Sequence, residues 1–571
     1  MDLFGFTGVM GGRSGYICDA FKTSIIYNGI DKYYSHMLEK FDQDKICADT
    51  DDFIIIIDGV ILNKHELMSS TQADDWVSTV IKLYFAHGEA FFQVFAGSFA
   101  GILYDKKNKK HVIFSDHIGT KYLYYTFVNG ILCCSSLIKN VYDFLKQEKI
   151  NYAISEENAY LLLTYGYMLE DKTLCNKIFK IRPGCYLVFQ DGKIKEKKFF
   201  LLDNSPRDNV TEDEWIEEMD SVFRKAVRLQ FVKDREYGYH HFVGLSGGLD
   251  SRMTCWVAHE LGFTNQLNYT FSQSNYYDEI IAKKIASDLK HEWIFKILDH
   301  GEWLLDIDSI IKITGGNYLY LGSAHSNSLY KYINFDSLGM IHSGQIGDVV
   351  FGTFYKGNDP KKKFELGEYA YSTRLLTKIR DIHLSDNFKN EEIANFYYRG
   401  FSGANSAQIA SMRYSETFSP FFHIDVLKVA MSIPLRYRQN HKIYKRWITQ
   451  KYPGAAMYKW EGMHAKITVP SVNIKGHPVA ISQIIPKMFN KILSSYGVDT
   501  GKTSMNPLMF YFRNNEKLKS MLLKYFDETI EYVDNINLKN DLIGIKKVCE
   551  PREFLQAITL LSAIKNFYVL I

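Results

Sequence analysis

The stretch of sequence that decides the fold is residues 240–252, which read HHFVGLSGGLDSR. An apolar run ends abruptly in Ser-Gly-Gly at residues 246–248, and apolar residues at helical spacing follow directly, which predicts a buried strand, a tight loop and the start of a helix. The backbone N–H groups of such a loop and the positive end of the helix converge on one point that suits a phosphate. The glycines let an anion approach the backbone closely. Ser251 adds a hydroxyl donor, and the carboxylate of Asp250 is suited to a divalent cation.

The sequence SGGLDS at residues 246–251 resembles the pyrophosphate-binding loop of the ATP pyrophosphatases, which cleave ATP to AMP and pyrophosphate while they activate a carbonyl or carboxylate. It lacks the Gly-x-x-x-x-Gly-Lys-Ser/Thr arrangement of kinases and GTPases. The resemblance implies that ATP and its pyrophosphate are held by Leu245, Ser246, Gly247, Gly248, Asp250 and Ser251.

Length and composition indicate the number of domains and argue against several classes of protein. With 571 residues, of which 46% are hydrophobic, the chain is long enough for two or more domains. A formal charge of only +3 disfavours a dedicated nucleic-acid binder. No apolar run is long enough to cross a bilayer, no signal-peptide pattern opens the chain, and the eight cysteines show no zinc-type spacing. We therefore expect a cytoplasmic protein without membrane or nucleic-acid partners and with free thiols.

The first part of the chain, residues 1–202, is rich in short apolar runs separated by turns, which predicts stacked antiparallel sheets covered by helices. Residues 58–63 (DGVILN) resemble the Asn-Gly-Glu-Ile-Tyr-Asn segment of glutamine-dependent asparagine synthetases. Residues 95–105 and 115–124 resemble two further segments of the same family, with Ser115 in place of an Arg. The resemblance implies an N-terminal-nucleophile-like fold, that of the glutamine amidotransferase (glutaminase) domain.

The chemistry of that glutaminase domain needs a terminal cysteine, whose thiol attacks the glutamine amide while its own free amine serves as the base. The family begins Met-Cys-Gly-Ile-x-Gly, whereas residues 3–8 read LFGFTG and put Phe4 at the nucleophile's place. The glutamine-binding Arg-His-Arg-Gly-Pro-Asp stretch has no counterpart around residues 36–52. Cys18 becomes terminal only after cleavage, and its neighbours do not match the family. We predict that this domain is inactive towards glutamine and packs against the rest of the chain.

The second part, residues 208–571, opens with a helix whose Thr211 and Glu214 have the spacing of a capping box. Strand-like and helical segments then alternate, which predicts a doubly wound parallel sheet of the ATP-pyrophosphatase type, with ligands at the carboxyl ends of the strands. Beyond Pro470 we predict helices near residues 486–493, 516–530 and 552–568. The expected fold class is therefore α/β, with an α+β first domain and a helical C-terminal part.

A second motif, IHSGQIGDVVFG at residues 341–352, resembles the Ser-Gly-Glu-Gly-Ser-Asp-Glu-x-Phe-Gly-Gly stretch of the asparagine synthetases. The resemblance implies that Ser343 and Gly344 contact the nucleotide and that Asp348, with Asp250, holds Mg²⁺ against the pyrophosphate. Gln345 and Val349 replace two glutamates of the family, and a neutral amide is not a general base.

Two further residues are predicted to be catalytic from the resemblance. Glu416 corresponds to the Glu of the family's Glu-x-Arg-x-Pro-Phe-Leu-Asp and is a candidate base, with a structural role equally open. The family's later Lys, which stabilises charge on the adenylate and pyrophosphate, corresponds best to Lys459, with Lys466 as the other option.

Together these features predict an ATP- and Mg²⁺-dependent ligase that activates a carboxylate as an acyl-adenylate and passes it to ammonia or an amine. Three hypotheses remain open from the sequence. The first is amidation of a small acid with free ammonia. The second is an intramolecular cyclase of the β-lactam or lasso-peptide type, acting on a small-molecule or peptide carboxylate. The third is a non-catalytic nucleotide-binding scaffold. A homodimer is compatible with each.

Overall fold

The computed structural model describes residues 3–21, 23–355, 359–385, 387–474, 477–484 and 504–569. Twelve strands form the first part: β1 Gly5–Met10, β2 Ser24–Asn28, β3 Asp31–His36, β4 Ile46–Asp49, β5 Phe53–Ile61, β6 Gly97–Asp105, β7 Lys110–Ser115, β8 Tyr124–Val128, β9 Ile131–Ser135, β10 Phe179–Lys180, β11 Cys185–Gln190 and β12 Lys193–Lys198. They make two six-stranded sheets, of order β10-β8-β9-β1-β3-β2 and β12-β11-β7-β6-β5-β4.

Both sheets are antiparallel throughout, and their inner faces share one apolar core. Phe6 and Met10 of β1 lie in the same buried cluster as Ile54, Ile56 and Ile102 of the second sheet. Because successive side chains of a strand point to opposite faces, the other face of β5 carries Ile55 and Ile57 into a separate apolar cluster. The predicted stacked antiparallel sheets are therefore confirmed.

The second part is built on a five-stranded parallel sheet of order β15-β14-β13-β16-β17. Its strands are β13 His240–Gly244, β14 Gln266–Ser272, β15 Glu292–Ile297, β16 Leu338–His342 and β17 Thr417–Phe418. The chain runs outward from β13 to β15 and then returns to the other side of β13. This reversal places a crevice between the carboxyl ends of β13 and β16, where ligands bind in doubly wound folds. Two short hairpins follow: β18 Lys459–Trp460 with β19 Ala465–Lys466, and β20 Ser471–Ile474 with β21 His477–Ala480.

The described residues form these α-helices: α1 Lys64–Thr71, α2 Trp76–His87, α3 Ile138–Gln147, α4 Glu156–Tyr165, α5 Glu212–Glu236, α6 Leu249–Glu260, α7 Tyr277–Leu289, α8 Ile307–Thr314, α9 Leu321–Tyr330, α10 Gly347–Val350, α11 Glu391–Asn395, α12 Ile424–Ser432, α13 Leu435–Arg438, α14 Lys442–Lys451, α15 Pro453–Ala456, α16 Leu508–Asn514, α17 Glu516–Thr529, α18 Ile536–Val548 and α19 Pro551–Phe567. The capping box of Thr211 and Glu214 opens α5 as predicted. A helical C-terminal part is confirmed, while the helix predicted near residues 486–493 lies outside the described residues. None of the described helices is long and apolar enough to cross a membrane.

A buried cluster of four charges joins the two parts of the chain. The ammonium of Lys121 lies 2.9 Å from Asp58 and 2.9 Å from Glu416, and that of Lys45 lies 3.1 Å from Glu416. Burial disfavours the charged form of Lys121, but the two carboxylates outweigh burial and raise its pKa. Since Glu416 immediately precedes β17, the cluster fixes the edge of the parallel sheet to the antiparallel sheets.

Candidate active site

The Ser-Gly-Gly loop connects β13 to α6 as the sequence predicts. The hydroxyl groups of Ser246 and Ser251 lie 2.9 Å apart, and the Ser251 hydroxyl accepts the N–H of Ser246 at 3.1 Å. Gly247 donates its N–H to Asp278 at 2.8 Å, and burial raises the pKa of that carboxyl to about 6 although the donated hydrogen bond opposes the shift. The loop is thus held from behind, and the first turn of α6, whose N–H groups have no partner within the helix, begins at the crevice.

The second loop follows β16 and packs directly on the first. A Cβ at Gly344 would lie 2.3 Å from the backbone nitrogen of Ser251, so only glycine permits this approach. Ile346 adopts a left-handed conformation, with φ 59° and ψ 14°, just before α10. For a β-branched residue this is strained backbone. The contact between the loops places Asp348 beside Asp250.

The carboxylates of Asp250 and Asp348 form an acidic pair at the crevice. Asp250 accepts the N–H of Asp348 at 2.8 Å and the hydroxyl of Tyr444 at 2.9 Å. Burial and the negative charge of Asp348 nevertheless raise the pKa of Asp250 well above its usual range. A cation between the two carboxylates relieves this repulsion, and hard oxygen donors suit Mg²⁺. The residues present therefore fit the metal that the sequence resemblance implies.

Behind the sheet, a buried hydrogen-bonded cluster fixes the start of the second loop. Asp234 of α5 accepts from His342 of β16 at 2.6 Å and from His241 of β13 at 2.8 Å. The side chains of His342 and Asp234 are fully buried. Because Ser343 follows His342 directly, the cluster holds the ends of β13 and β16 in register beneath the crevice.

A third segment, residues 455–462, closes one side of the crevice through Arg252. This buried guanidinium donates to the carbonyls of Gly247 at 3.2 Å, Ala455 at 3.2 Å and Lys459 at 2.5 Å. Burial lowers its pKa to about 10, so the side chain still carries its charge at neutral pH. The backbone of Glu461 also donates to the carbonyl of Gly247 at 3.1 Å.

These segments enclose a cavity of about 630 Å³ at the crevice. The residues predicted to bind ATP or metal that line it are Leu245, Ser246, Gly248, Asp250, Ser251, Ser343, Gly344 and Asp348. Gly247 supports the loop through Asp278 and through its carbonyl. The sequence prediction and the cavity therefore coincide for both glycine-rich motifs.

The two residues predicted to be catalytic lie elsewhere. Glu416, the candidate base, is 1% exposed, is ion-paired to Lys45 and Lys121, and is not among the described residues that line the cavity. Lys459 is exposed on β18, and neither it nor its hairpin partner Lys466 is among the described residues that line the cavity. The assignment of Lys459 as the charge-stabilising cation stays a prediction.

Several cavity residues carried no sequence signal: Tyr269, His325, Phe354, Arg399, His441, Tyr444 and Trp460. His325 illustrates their chemistry. Its Nδ1 donates to the carbonyl of Leu321 at 2.8 Å, and burial lowers its pKa to about 4, so the neutral ring keeps Nε2 as an acceptor. No motif marks these positions because they come from six separate segments brought together by the fold.

Comparison with known proteins identifies two families along the chain. The family described as "Glutamine amidotransferase domain" matches residues 39–200, and that described as "Asparagine synthase" matches residues 218–406. Asparagine synthetase (glutamine-hydrolyzing) 1 of Bacillus subtilis (strain 168) is 26% identical over 268 residues, which cover 45% of this chain and 41% of the relative. A putative asparagine synthetase (glutamine-hydrolyzing) 2 of Methanocaldococcus jannaschii is 26% identical over 345 residues, which cover 57% of this chain and 64% of the relative.

The chain thus spans less than two thirds of the length of either relative. Among solved structures, the glutamine phosphoribosylpyrophosphate amidotransferase of B. subtilis, complexed with ADP and GMP, aligns with a TM-score of 0.22 and 10% identity. That alignment covers 51% of this chain and 59% of the other.

Proposed function

We propose that this chain, which joins a glutamine amidotransferase domain to an asparagine synthase domain, is an ATP-dependent carbon–nitrogen ligase that works without hydrolysing glutamine. In the first step an oxygen of the substrate carboxylate attacks the α-phosphorus of ATP, and the bond to the β-phosphate oxygen breaks, releasing pyrophosphate. In the second step ammonia or an amine attacks the acyl carbon of the adenylate, loses a proton and displaces AMP. The product is an amide.

The observation that carries this proposal is the convergence of phosphate and metal ligands at one crevice. The hydroxyls of Ser246 and Ser251 and the first turn of α6 supply donors for the pyrophosphate. A helix of 12 residues also presents its positive end there. Such a preorganised set stabilises the negative charge that develops as pyrophosphate leaves.

Asp250 and Asp348 would hold Mg²⁺ with two carboxylates from separate loops. When bound there, Mg²⁺ supplies charge neutralisation of the phosphate oxygens. The chain's own contribution is to keep both carboxylates rigid. Gly344 lets the loops touch, and the Tyr444 hydroxyl orients Asp250 through a 2.9 Å hydrogen bond.

The absence of glutamine hydrolysis is supported by the residue at the nucleophile's place and by three buried cysteines of the first domain. Phe4 stands where the family's nucleophile lies. Burial raises the pKa of Cys133 far above its usual range and that of Cys134 to about 12, so neither forms a thiolate at neutral pH. Cys18 is fully buried. Ammonia or a substrate amine is therefore the proposed nitrogen donor.

The test separates nucleotide binding from chemistry. Calorimetry measures ATP binding to the wild type and to Asp348→Asn, each with Mg²⁺ and with EDTA, and Asp425→Asn serves as a surface control. We expect Asp348→Asn to weaken binding about tenfold or more with Mg²⁺ and little with EDTA. Pyrophosphate release is then measured with a panel of carboxylic acids and with ammonia or glutamine. Release with ammonia but not with glutamine supports the proposal, and a wild type that binds no ATP overturns it.

A further inference from the structure

One wall of the cavity is used neither by the phosphate donors nor by the acidic pair. It consists of Val349, Phe354, Arg399, Ala404, His441 and Trp460. The rings of His441 and Trp460 lie 5.7 Å apart, edge to face. The backbone carbonyl of Ala404 accepts the side-chain amide of Gln345 at 2.8 Å, which ties this wall to the second loop. The wall is mostly apolar and aromatic.

Arg399 provides a positive charge within this wall. Its guanidinium lies 5.4 Å from the ring centre of Phe354 and 5.6 Å from that of Tyr369. The nearby carboxylate of Glu391 is occupied by the Tyr369 hydroxyl and by Lys362. Within the described part of the chain, Arg399 has aromatic contacts and no carboxylate partner. A partly exposed guanidinium stacked in this way is preorganised for an anion.

The other charges of the cavity do not neutralise Arg399. Asp250 and Asp348 form the acidic pair, and Glu461 accepts the hydroxyl of Tyr276. Among the described residues that line the cavity, Arg399 is the only arginine or lysine. The one further carboxylate in the same set is Glu461, which already holds the Tyr276 hydroxyl, so we expect the bound acid to lack an ammonium group, which is costly to bury unpaired.

The element that carries Arg399 is anchored away from the phosphate loop. Arg399 lies in a π-helical segment, Phe396–Gly403. Tyr122 of the first domain donates to the carbonyls of Phe401 at 3.2 Å and Ser402 at 3.0 Å. This side of the cavity is therefore positioned by the first domain, whereas the phosphate donors belong to the parallel sheet.

We infer that Arg399 binds a second carboxylate on the acid that is activated. The substrate is then a dicarboxylic acid with an apolar or aromatic body and without a free ammonium group, rather than aspartate. One carboxylate is adenylated beside the acidic pair, the other pairs with Arg399, and the body packs on Phe354 and Trp460. This inference rests on the proposed function, because it names the acid that the ligase uses.

The test is isotope exchange between pyrophosphate and ATP, which reports adenylation without any nitrogen donor. The acids are phenylsuccinate, 3-phenylpropionate, which lacks the second carboxylate, and aspartate. We expect kcat/KM for phenylsuccinate to exceed that for 3-phenylpropionate by about 10- to 100-fold, the value of one charged hydrogen-bonded contact, and to exceed that for aspartate as well. Arg399→Met should abolish the preference over 3-phenylpropionate and leave the KM for ATP unchanged, and Arg399→Lys should retain part of that preference.

Arg436→Met is the matched control, because Arg436 also stacks on a tyrosine, at 4.8 Å, but lies on the surface. Acid binding to protein saturated with α,β-methylene-ATP is measured in parallel by calorimetry. Two results would overturn the inference without contradicting the proposed ligase function. One is a preference for aspartate, and the other is an Arg399→Met variant that changes the KM for ATP but not the acid selectivity. Binding of phenylsuccinate through Arg399 without exchange supports the inference and contradicts the ligase. Neither binding nor exchange with any acid overturns both.

Discussion

Replacing Lys121 by methionine should uncouple the two parts of the chain. Lys121 lies 2.9 Å from both Asp58 and Glu416, and its side chain is 9% exposed. Methionine keeps most of the aliphatic volume and removes the charge. Lys45 then faces two carboxylates alone, at 3.6 Å and 3.1 Å, and one buried negative charge remains uncompensated.

The expected loss follows from the geometry. At an effective dielectric constant of about 20, each 2.9 Å contact contributes about 6 kcal/mol of attraction, most of which is offset by the desolvation of the ions. Removing one partner of such a buried pair typically costs about 3–5 kcal/mol. Glu416→Gln combined with Lys121→Met restores neutrality, so the double variant should lose about 2–3 kcal/mol less than the sum of the two single variants.

Urea unfolding followed by tryptophan fluorescence measures this loss. Six of the seven tryptophans lie beyond residue 202, so the signal reports the second part of the chain although Lys121 belongs to the first. Lys225→Met is the control, since its 3.0 Å pair with Asp425 is exposed and should contribute less than about 1 kcal/mol. If Lys121→Met costs no more than Lys225→Met, the buried cluster does not hold the domains together.

Three further predictions concern the second domain. In Arg252→Met, limited proteolysis should cleave residues 455–462 at least about tenfold faster than in the wild type, because each charged hydrogen bond to a carbonyl is worth about 1.5–3 kcal/mol. The cleavage rate of Arg252→Lys should be intermediate. An unchanged rate in Arg252→Met would refute the role of Arg252. The free energy of unfolding in urea should be about 1 kcal/mol larger for Ile346→Gly than for Ile346→Ala, because alanine keeps the backbone strain at φ 59° and glycine does not. The reverse order would mean that this conformation is absent in solution. Burial lowers the pKa of His423 to about 4, so the unfolded chain takes up a proton below pH 6.5 that the folded chain does not, and His423 should contribute about 1.4 kcal/mol per pH unit to the fall in stability between pH 6.5 and 4. His423→Asn keeps a capping side chain for α12 and should reduce the slope in urea titrations by this contribution, while buried His325 keeps its own; an unaltered slope would contradict the prediction.

Local patterns in the sequence are sufficient to predict the framework of the site. The apolar run before Ser246, the Ser-Gly-Gly turn and the helical spacing after it give β13, the loop and α6. The assignment of Asp348 as the acidic partner comes instead from the resemblance of the second motif, and its role as a metal ligand stays a prediction. The predictions of β13, the loop and α6 succeed because each depends on a short segment whose backbone conformation its own residues determine. The relative position of the two loops then follows from the general rule for doubly wound sheets.

The chemistry around that framework was not predictable, because it depends on contacts between distant segments. Glu416 has the sequence surroundings of a catalytic residue, yet its neighbours in space are Lys45 and Lys121, more than 290 residues away along the chain. Arg399 has no surrounding motif, yet it lines the cavity. No local pattern reports which charge a side chain will meet.

The first domain contributes to the cavity in the second through buried polar contacts. Lys121 and Lys45 neutralise Glu416 at the edge of the parallel sheet, and Tyr122 holds the segment that carries Arg399. Each of these contacts comes from a loop beside the antiparallel strands and ends on a segment that lines or supports the cavity in the other domain. The first domain sets the position of this wall, because the segment that carries Arg399 and the strand that follows Glu416 both have buried polar partners in the first domain. In the proposed ligase, the first domain would therefore shape the acid-binding side of the cavity, while the loops of the parallel sheet would supply the nucleotide side.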